Sequence, residues 1–281
     1  MKVFDVFPFY NELDLLEIRI NALSDVVDFF IVSEATYTFS GKKKPLYLSE
    51  NLDRFGSLAS RIIPNVVDLK PRLSAFETEW QQRNAIKSII NEVCKAEDVL
   101  LFGDADEIPR PECVPSAVQA LTRHEVVHFA QDLFYYYLNL KEVSGTLLSA
   151  TGEFESVTQP KWLGTKLMHV GTLGARDMDF FRTSATKQLG RRIADGGWHF
   201  SFVGSEGNLP ADQRVKNKIK AYAHQEYNNF RTLRRIKGRV ESGSDVFDRD
   251  GAVFEVVPID ESFPRSISEN VARYSSLILR A

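Results

Sequence analysis

The stretch VLLFGDADEIPRP, residues 99–111, passes from an apolar run into two aspartates one residue apart and then into two prolines. A short apolar run that ends at such turn residues is typical of a strand buried on both faces. Asp104 and Asp106 then follow that strand at its carboxyl end, which is the edge where open α/β sheets bind ligands. The two carboxylates therefore either cap a surface turn or hold a ligand.

The composition is that of a soluble globular protein. The chain has 281 residues, of which 43% are hydrophobic and 26% charged, and this length allows one large domain. The net charge of −3 gives no reason to expect a nucleic-acid partner. Cys94 and Cys113 do not follow a metal-site spacing, and two thiols in a chain of this length suit a reducing compartment.

No segment has the sequence features of a membrane span or a secretory leader. No apolar run approaches the roughly 18 residues that cross a bilayer. The N-terminal MKVFDVFPFYNE reaches Asp5 too early for a signal peptide. We therefore expect a soluble, cytoplasmic protein without an integral membrane segment.

Strand-like and helix-like segments alternate through the first 125 residues. The predicted strands are 2–9, 29–35, 61–67 and 98–103, and the predicted helices are 12–23, 78–96 and 112–122. Alternation of this kind indicates βαβ units. Because the strands are apolar throughout, we predict an α/β fold with a mostly parallel central sheet flanked by helices.

The pattern loosens after about residue 125. Segments 126–130 and 133–140 are strand-like, and a Gly/Ser/Thr-rich region follows to about residue 190. Residues 212–239 are helical and basic, which favours a solvated helix pair, or attraction for a diphosphate or an acidic acceptor. We find no repeat or linker, so we predict a single domain, 1–281, with an irregular C-terminal half.

The chemistry of an Asp-x-Asp pair depends on where it lies. The chain has three such pairs, at 104/106, 177/179 and 248/250, and we expect the last two to form surface turns. Side chains two residues apart in an extended segment point the same way and can meet one cation. Mg²⁺ or Mn²⁺ often binds through one or two carboxylates plus substrate phosphates. A Gly-x-Gly-x-x-Gly after the first strand and a P-loop are both absent, so side chains and a metal would have to hold phosphates.

Several segments resemble glycosyltransferase family 17. They are DVFPFYNELDLLEIRINAL (5–23), IVSEATYTFSGKKKPLY (31–47), WQQRNAI (80–86), GDADEIPRP (103–111), GWHFSF (197–202) and HQEYN (224–228). These motifs occur in the family's order between about residues 3 and 230, and the first 110 residues are the most specific part. Animal members carry a membrane anchor, whereas this chain starts at the catalytic part, so we expect no anchor here.

The resemblance implies a GT-A-like fold, a UDP-sugar donor and inversion at the anomeric carbon. UDP-GlcNAc is the donor of the animal members. It also implies that Asp104 and Asp106 form the motif that binds a divalent metal, Mn²⁺ or Mg²⁺. Residues 1–125 would then be the nucleotide-sugar-binding half and 126–281 the acceptor-binding half. The second half matches least well, so the acceptor stays open.

Two residues in the later matching segment GWHFSF each have two interpretations. His199 in GGWHFSF either packs in the interior or serves as the third metal ligand, which GT-A-like enzymes often supply late in the chain. Trp198 either stacks on a sugar face or lies in the core.

The loops after the first two strands would line the nucleotide pocket. An acid at the end of a buried strand needs a polar partner, so Glu34 is a candidate for uridine or ribose. Arg83 would reach the diphosphate or pair with a carboxylate. At least two of the three lysines at 42–44 should be solvated. The candidate donor-binding residues are Pro8, Asn11, Glu12, Glu34, Arg83 and Asp104, although Glu12 also suits an ordinary helix N-terminus.

An inverting transfer needs a general base that takes the proton of the acceptor hydroxyl. The candidates are Asp195, Glu226 and Glu107, although Glu107 would more often orient its neighbours.

The sequence thus predicts a metal-dependent inverting transferase that moves GlcNAc from a UDP-sugar to a carbohydrate hydroxyl. The alternative is a non-catalytic sugar-binding relative of the same fold. A metal-dependent nuclease or phosphatase would need more clustered carboxylates.

Overall fold

The computed structural model describes residues 1–69, 74–144, 162–182, 190–205, 207–248 and 251–280. The first half alternates strands and helices, as predicted. Its elements are β1 (Val3–Phe9), α1 (Leu13–Leu23), β2 (Phe29–Ala35), β3 (Ile62–Val67), α2 (Ala75–Val93), β4 (Val99–Phe102), β5 (Glu107–Pro109) and α3 (Val114–Ala120). A kinked 3₁₀ segment, Ser49–Arg61, leads into β3.

Strands β1 to β4 form a parallel sheet with the order β3-β2-β1-β4. The chain proceeds outward from β1 to β3 and then returns through α2 to the other side of β1. The strand order therefore reverses between β1 and β4, and their carboxyl ends flank a topological switch point. Pro64 lies in β3, which is the outermost strand of this order, and an edge strand tolerates its missing N–H.

The second half continues the same sheet with mostly antiparallel pairs. Its strands are β6 (Val127–Tyr135), β7 (Leu140–Glu142), β8 (Trp162–His169), β9 (Arg191–Ser201) and β10 (Phe254–Val256). β8 is antiparallel to both β4 and β6, whereas β9 runs parallel to β6 and antiparallel to β5. The sequence pattern missed β8 and divided β6 into two segments.

The basic segment folds into two helices, α4 (Ala211–Ala221) and α5 (Phe230–Glu241), which pack against each other. A short helix, α6 (Arg265–Ser268), contacts α1. Among the residues that the structure describes, no helix is both long and apolar enough to cross a membrane. Cys94 and Cys113 are free thiols, and burial raises the pKa of Cys94 to about 12.

Apolar side chains cover both faces of the sheet. Leu16 and Ile20 of α1 pack with Phe7 and Val32 on one face, whereas Ile86 of α2 packs on the other face. The predicted fold class, α/β with helices flanking a central sheet, is confirmed. The division into halves at 125 stays a prediction, although strands from both halves share one sheet.

Candidate active site

A cavity of about 220 Å³ lies at the carboxyl ends of the parallel strands. Pro8 and Phe9 end β1, Tyr37–Phe39 follow β2, and Asp104–Glu107 follow β4, and all of these line it. α2 and α4 supply further walls. The cavity thus occupies the crevice that the reversal of strand order creates between β1 and β4.

Glu107 fixes the turn that carries the two aspartates. Its side chain is buried and accepts hydrogen bonds from Trp162 Nε1 at 2.7 Å, from Arg182 at 2.8 and 3.1 Å, and from the Asp104 N–H at 2.9 Å. Burial alone would raise the pKa of Glu107, but the charges of Arg182, His199 and Lys166 outweigh it and hold the pKa below its ordinary value. Glu107 is therefore an ionised anchor.

Asp104 faces two guanidinium groups. Its Oδ2 accepts a hydrogen bond of 2.6 Å from Arg182, and its Oδ1 lies 3.7 Å from Arg83. Arg83 also pairs with Asp179 at 2.8 Å and with Glu79 at 3.0 Å. The expectation that the 177/179 pair forms only a surface turn is thus wrong for Asp179, which contacts a residue of the cavity wall.

Asp106 pairs with a lysine from α4. Lys218 Nζ lies 2.9 Å from Asp106 Oδ2 and 3.3 Å from Glu12 Oε1, and His199 Nε2 lies 3.6 Å from Asp106 Oδ1. Burial would raise the pKa of Asp106, but Lys218 and His199 lower it well below its ordinary range. The carboxylates in turn raise the pKa of Lys218 despite its burial. Asp106 is ionised and Lys218 is charged.

The predicted metal ligands Asp104, Asp106 and His199 are only partly assembled. Within the described residues, no group of three His, Cys, Asp or Glu side chains is arranged to hold a metal ion. Asp106 and His199 are 3.6 Å apart, a separation that one shared cation can bridge, whereas Asp104 faces the arginines. The carboxylate suits Mn²⁺ or Mg²⁺ when phosphates and water complete the shell, and an imidazole ligand favours Mn²⁺ of the two. Asp106 and His199 therefore fit a cation that is bound together with a diphosphate. They do not fit a metal site in which protein side chains supply every ligand.

Four buried polar atoms of the cavity wall have no hydrogen-bond partner among the described residues. They are Arg83 Nε, Asp104 Oδ1, His199 Nδ1 and Tyr222 Oη. An unpaired buried polar group costs about 1–3 kcal/mol, so native proteins rarely keep several in one place. All four atoms belong to residues that line the same cavity.

Two tryptophans lie near the cavity and have different roles. Trp198, the predicted stacking candidate, is an interior residue whose Nε1 donates to the Ser262 carbonyl. Trp162 lines the cavity instead, with its ring 4.7 Å from that of His199. The core interpretation of Trp198 is therefore correct.

The predicted donor-binding residues divide into two groups. Pro8, Glu12, Arg83 and Asp104 line the cavity, as does Lys44, whereas Lys42 and Lys43 are exposed. Asn11 and Glu34 are buried outside the cavity lining.

Glu34 is satisfied inside the protein. It accepts a hydrogen bond from Lys44 at 3.4 Å and hydrogen bonds from the backbone N–H groups of Leu48 and Ser49. Burial raises its pKa. The acid at the end of β2 does need a polar partner, as predicted, but Lys44 and the following loop provide it.

None of the three predicted bases lies where it could act as a general base. Asp195 and Glu226 are exposed and lie outside the lining, and Glu226 bonds to His224. Glu107 lines the cavity but is held by Arg182. Asp195 is close in sequence to GGWHFS, but it lies where the register of β9 against β6 shifts, between Ile193 and Gly197, and its φ of 50° interrupts the regular strand there.

Sequence reasoning missed Glu79, Trp162, Arg182, Lys218 and Tyr222, which all contribute to the site. Glu79 lies one helical turn before Arg83, and this spacing could have indicated it. Arg182 and Lys218 come from segments without a local motif, and only the tertiary structure brings them to the aspartates.

The family model for glycosyltransferase family 17 matches residues 1–143. Human beta-1,4-mannosyl-glycoprotein 4-beta-N-acetylglucosaminyltransferase is 22% identical over 300 residues, covering 99% of this chain and 55% of the human protein. The rat protein of the same name is 27% identical over 117 residues, covering 38% of this chain and 22% of its own. The chain thus spans about half the length of the human relative.

Two solved structures have a limited likeness to this chain. One is a 4-diphosphocytidyl-2C-methyl-D-erythritol synthase, with a TM-score of 0.40 and 11% identity over 69% of this chain and 89% of that chain. The other is S. aureus TarS 1–349 in complex with UDP-GlcNAc, with a TM-score of 0.37 and 13% identity over 87% of this chain and 74% of that chain.

Proposed function

Because this chain belongs to glycosyltransferase family 17, we propose that it transfers GlcNAc from UDP-GlcNAc to a hydroxyl of a carbohydrate acceptor, with a divalent cation and inversion at the anomeric carbon. One observation carries this proposal. The cavity at the switch point combines the Asp104–Asp106 pair with the cations Arg83 and Lys218, and Arg182 pairs with Asp104 from outside the lining.

Different side chains of the site would bind the phosphates and the cation of a nucleotide diphosphate. Arg83 and Lys218, which line the cavity, bind phosphate oxygens, and the guanidinium group of Arg83 can do so bidentately. Asp106 and His199 would hold the cation, and the cation would supply positive charge next to the diphosphate leaving group.

The general base is assigned to Glu79. Of the carboxylates that line the cavity, Asp104, Asp106, Glu107 and Glu12 face Arg182 or Lys218. Glu79 pairs only with Arg83 among the ion pairs of the described residues, and its side chain is 26% exposed. Glu79 is thus the carboxylate of the lining that forms no ion pair with Arg182 or Lys218, and we infer the base from that.

Glu79→Gln should separate the base from the binding residues. We expect turnover to fall by roughly a hundredfold or more, as for loss of a general base, while UDP affinity stays unchanged. Glu92→Gln, an exposed position on the same helix, is the matched control. Unaltered turnover would exclude Glu79, and a loss in Glu226→Gln instead would restore the candidate chosen from sequence.

The decisive experiment measures UDP release from UDP-sugars with Mn²⁺ and simple glycoside acceptors. Asp106→Asn should lower turnover by at least about a hundredfold, because metal charge stabilisation contributes several kcal/mol and each 1.36 kcal/mol is tenfold in rate. Asp248→Asn should not change turnover, because the Asp248 side chain contacts Arg235 and Arg239 and does not line the cavity. Turnover that is indifferent to chelator and to Asp106→Asn contradicts the metal assignment.

The same experiment distinguishes the non-catalytic alternative. A relative that only binds nucleotide sugars would bind UDP-GlcNAc in calorimetry and release no UDP with any acceptor. Mass spectrometry of the products against a panel of donors identifies the sugar.

A further inference from the structure

Arg19 is a fully buried charged residue in the middle of α1. Burying a guanidinium group costs several kcal/mol unless every donor finds a partner. Nε and Nη2 form a fork onto the carboxylate of Asp5, at 2.7 and 2.6 Å, in the middle of β1. Asp5 is also fully buried, so the pair lies inside the core and not at its surface.

The third nitrogen of Arg19 reaches the turn that carries the aspartates. Nη1 donates to the carbonyl of Asp104 at 2.9 Å and to that of Glu107 at 2.7 Å, with the carbonyl of Ala105 at 3.4 Å. One guanidinium group thus contacts both ends of a four-residue turn. Thr165 Oγ1 also donates to the Glu107 carbonyl, at 2.6 Å.

Two main-chain hydrogen bonds also fix its carbonyls, and one of them runs from the Phe200 N–H to the Asp106 carbonyl at 2.9 Å. Within it, the Glu107 N–H donates to the Asp104 carbonyl at 3.0 Å. Because Arg19 holds the carbonyls of Asp104 and Glu107 toward the core, the carboxylates of Asp104 and Asp106 are left on the cavity side. The ring of Phe7, 4.3 Å from the guanidinium carbon, limits where that group can move.

We propose that Arg19, oriented by Asp5, is a positioning residue that holds the Asp104–Glu107 turn from beneath and thereby sets the direction of the two aspartates. The inference rests on the proposed function for its catalytic consequence. Its structural content, that Nη1 restrains this turn, can be tested without any substrate.

The main test is the double variant Asp5→Leu/Arg19→Met. It removes both charges together, and apolar replacement of a complete buried ion pair is often tolerated. We expect a folded protein in which amide hydrogen exchange at 104–107 is at least tenfold faster, while amides of β2 keep wild-type rates. Turnover at saturating donor should fall by roughly a hundredfold, as expected for a misplacement of about 1 Å.

Arg61→Met is the matched control. Arg61 also donates to main-chain carbonyls, those of Asp28 at 3.0 Å and Ser24 at 2.9 Å, but in the loop that precedes β2 at the opposite edge of the sheet. It should leave exchange at 104–107 and turnover unchanged. A folded double variant with wild-type exchange and turnover overturns the inference.

If amide exchange in the double variant accelerates throughout the protein, the variant is destabilised as a whole, and Arg19→Lys then tests the inference. Lysine keeps the charge opposite Asp5 but lacks the planar fork that contacts the carboxylate and the turn together. We expect accelerated exchange confined to 104–107, and wild-type exchange there overturns the inference. A wild-type protein that turns over no UDP-sugar would contradict the proposed function alone, because the exchange measurement does not depend on activity.

Discussion

Arg182 contacts two carboxylates that lie three residues apart in the sequence. It donates to Asp104 at 2.6 Å and to both oxygens of Glu107. Burial disfavours its charge, but the charges of Asp104 and Glu107 outweigh burial and raise its pKa. Because this one side chain pairs with two acids, its loss would remove the ion-pair partner of the buried Glu107 carboxylate.

Arg182→Met should therefore reduce stability in a way that depends on pH. Breaking a buried pair by removing one partner costs roughly 3–5 kcal/mol. The folded-state pKa of Glu107 is lowered to about 2, so its stabilising contribution is complete above the ordinary glutamate pKa and is lost progressively as the pH falls from there through about 2. Urea denaturation at pH 7 and pH 3 should show a smaller difference between wild type and variant at pH 3.

Arg176→Met is the control for this comparison. Its guanidinium is 44% exposed and lies 3.8 Å from Glu125, so the change should stay within about 0.5 kcal/mol. An Arg182→Met variant with wild-type stability at pH 7 would show that the ion pairs of Arg182 make no net contribution to the free energy of unfolding.

At the scale of elements, α4 connects the two halves of the chain. The sequence interpretation of the basic 212–239 segment as solvated holds for Lys220, which is exposed, but not for Lys218, which faces Asp106. Helical periodicity directs residues three or four apart to one face, so Val215 and Ile219 in the core place Lys218 beside them at the sheet edge.

Lys218→Met should weaken UDP binding by about tenfold or more, because a charge-assisted contact to phosphate contributes roughly 1.5–3 kcal/mol. Lys216→Met is the matched control, since Lys216 pairs with Asp212 on the same helix. Calorimetry with UDP and Mn²⁺ measures both. Equal affinities in the two variants would remove Lys218 from the diphosphate site.

At the scale of the whole molecule, the two predicted halves depend on each other. β4 pairs with β8, and β5 pairs with β9, so the second half covers an edge of the parallel sheet. Near the C-terminus, Phe263 and Ile267 pack in one cluster with Leu15 and Ile18 of α1.

A fragment of residues 1–125 should consequently fail to fold cooperatively. It would expose the edge of β4 and the apolar face of α1, and it would lack the partners of Asp104 and Asp106. Circular dichroism during urea titration tests this, with the full chain as control. A sharp unfolding transition of the fragment would establish the nucleotide-binding half as an independent domain.

The elements of the first half could be predicted because their patterns are local. The apolar run 29–35 was predicted with the bounds of β2, and α2 begins at a capping box of Ser74 and Glu77 close to the predicted start. β8 was missed because a strand in a polar, Gly-containing region has no such pattern and is determined by its pairing with β4 and β6.

The sequence by itself determined the α/β class, the place of Asp104 and Asp106 at the end of a buried strand, and the resemblance to a family of glycosyltransferases, because these depend on hydrophobic period and on residues close together in the chain. Only the tertiary structure decided which charges meet those aspartates. Arg19, Arg182 and Lys218 are 85, 78 and 112 residues from the atoms they contact in the 104–107 turn. Contacts of such separation follow from strand order and helix packing, which local patterns do not encode.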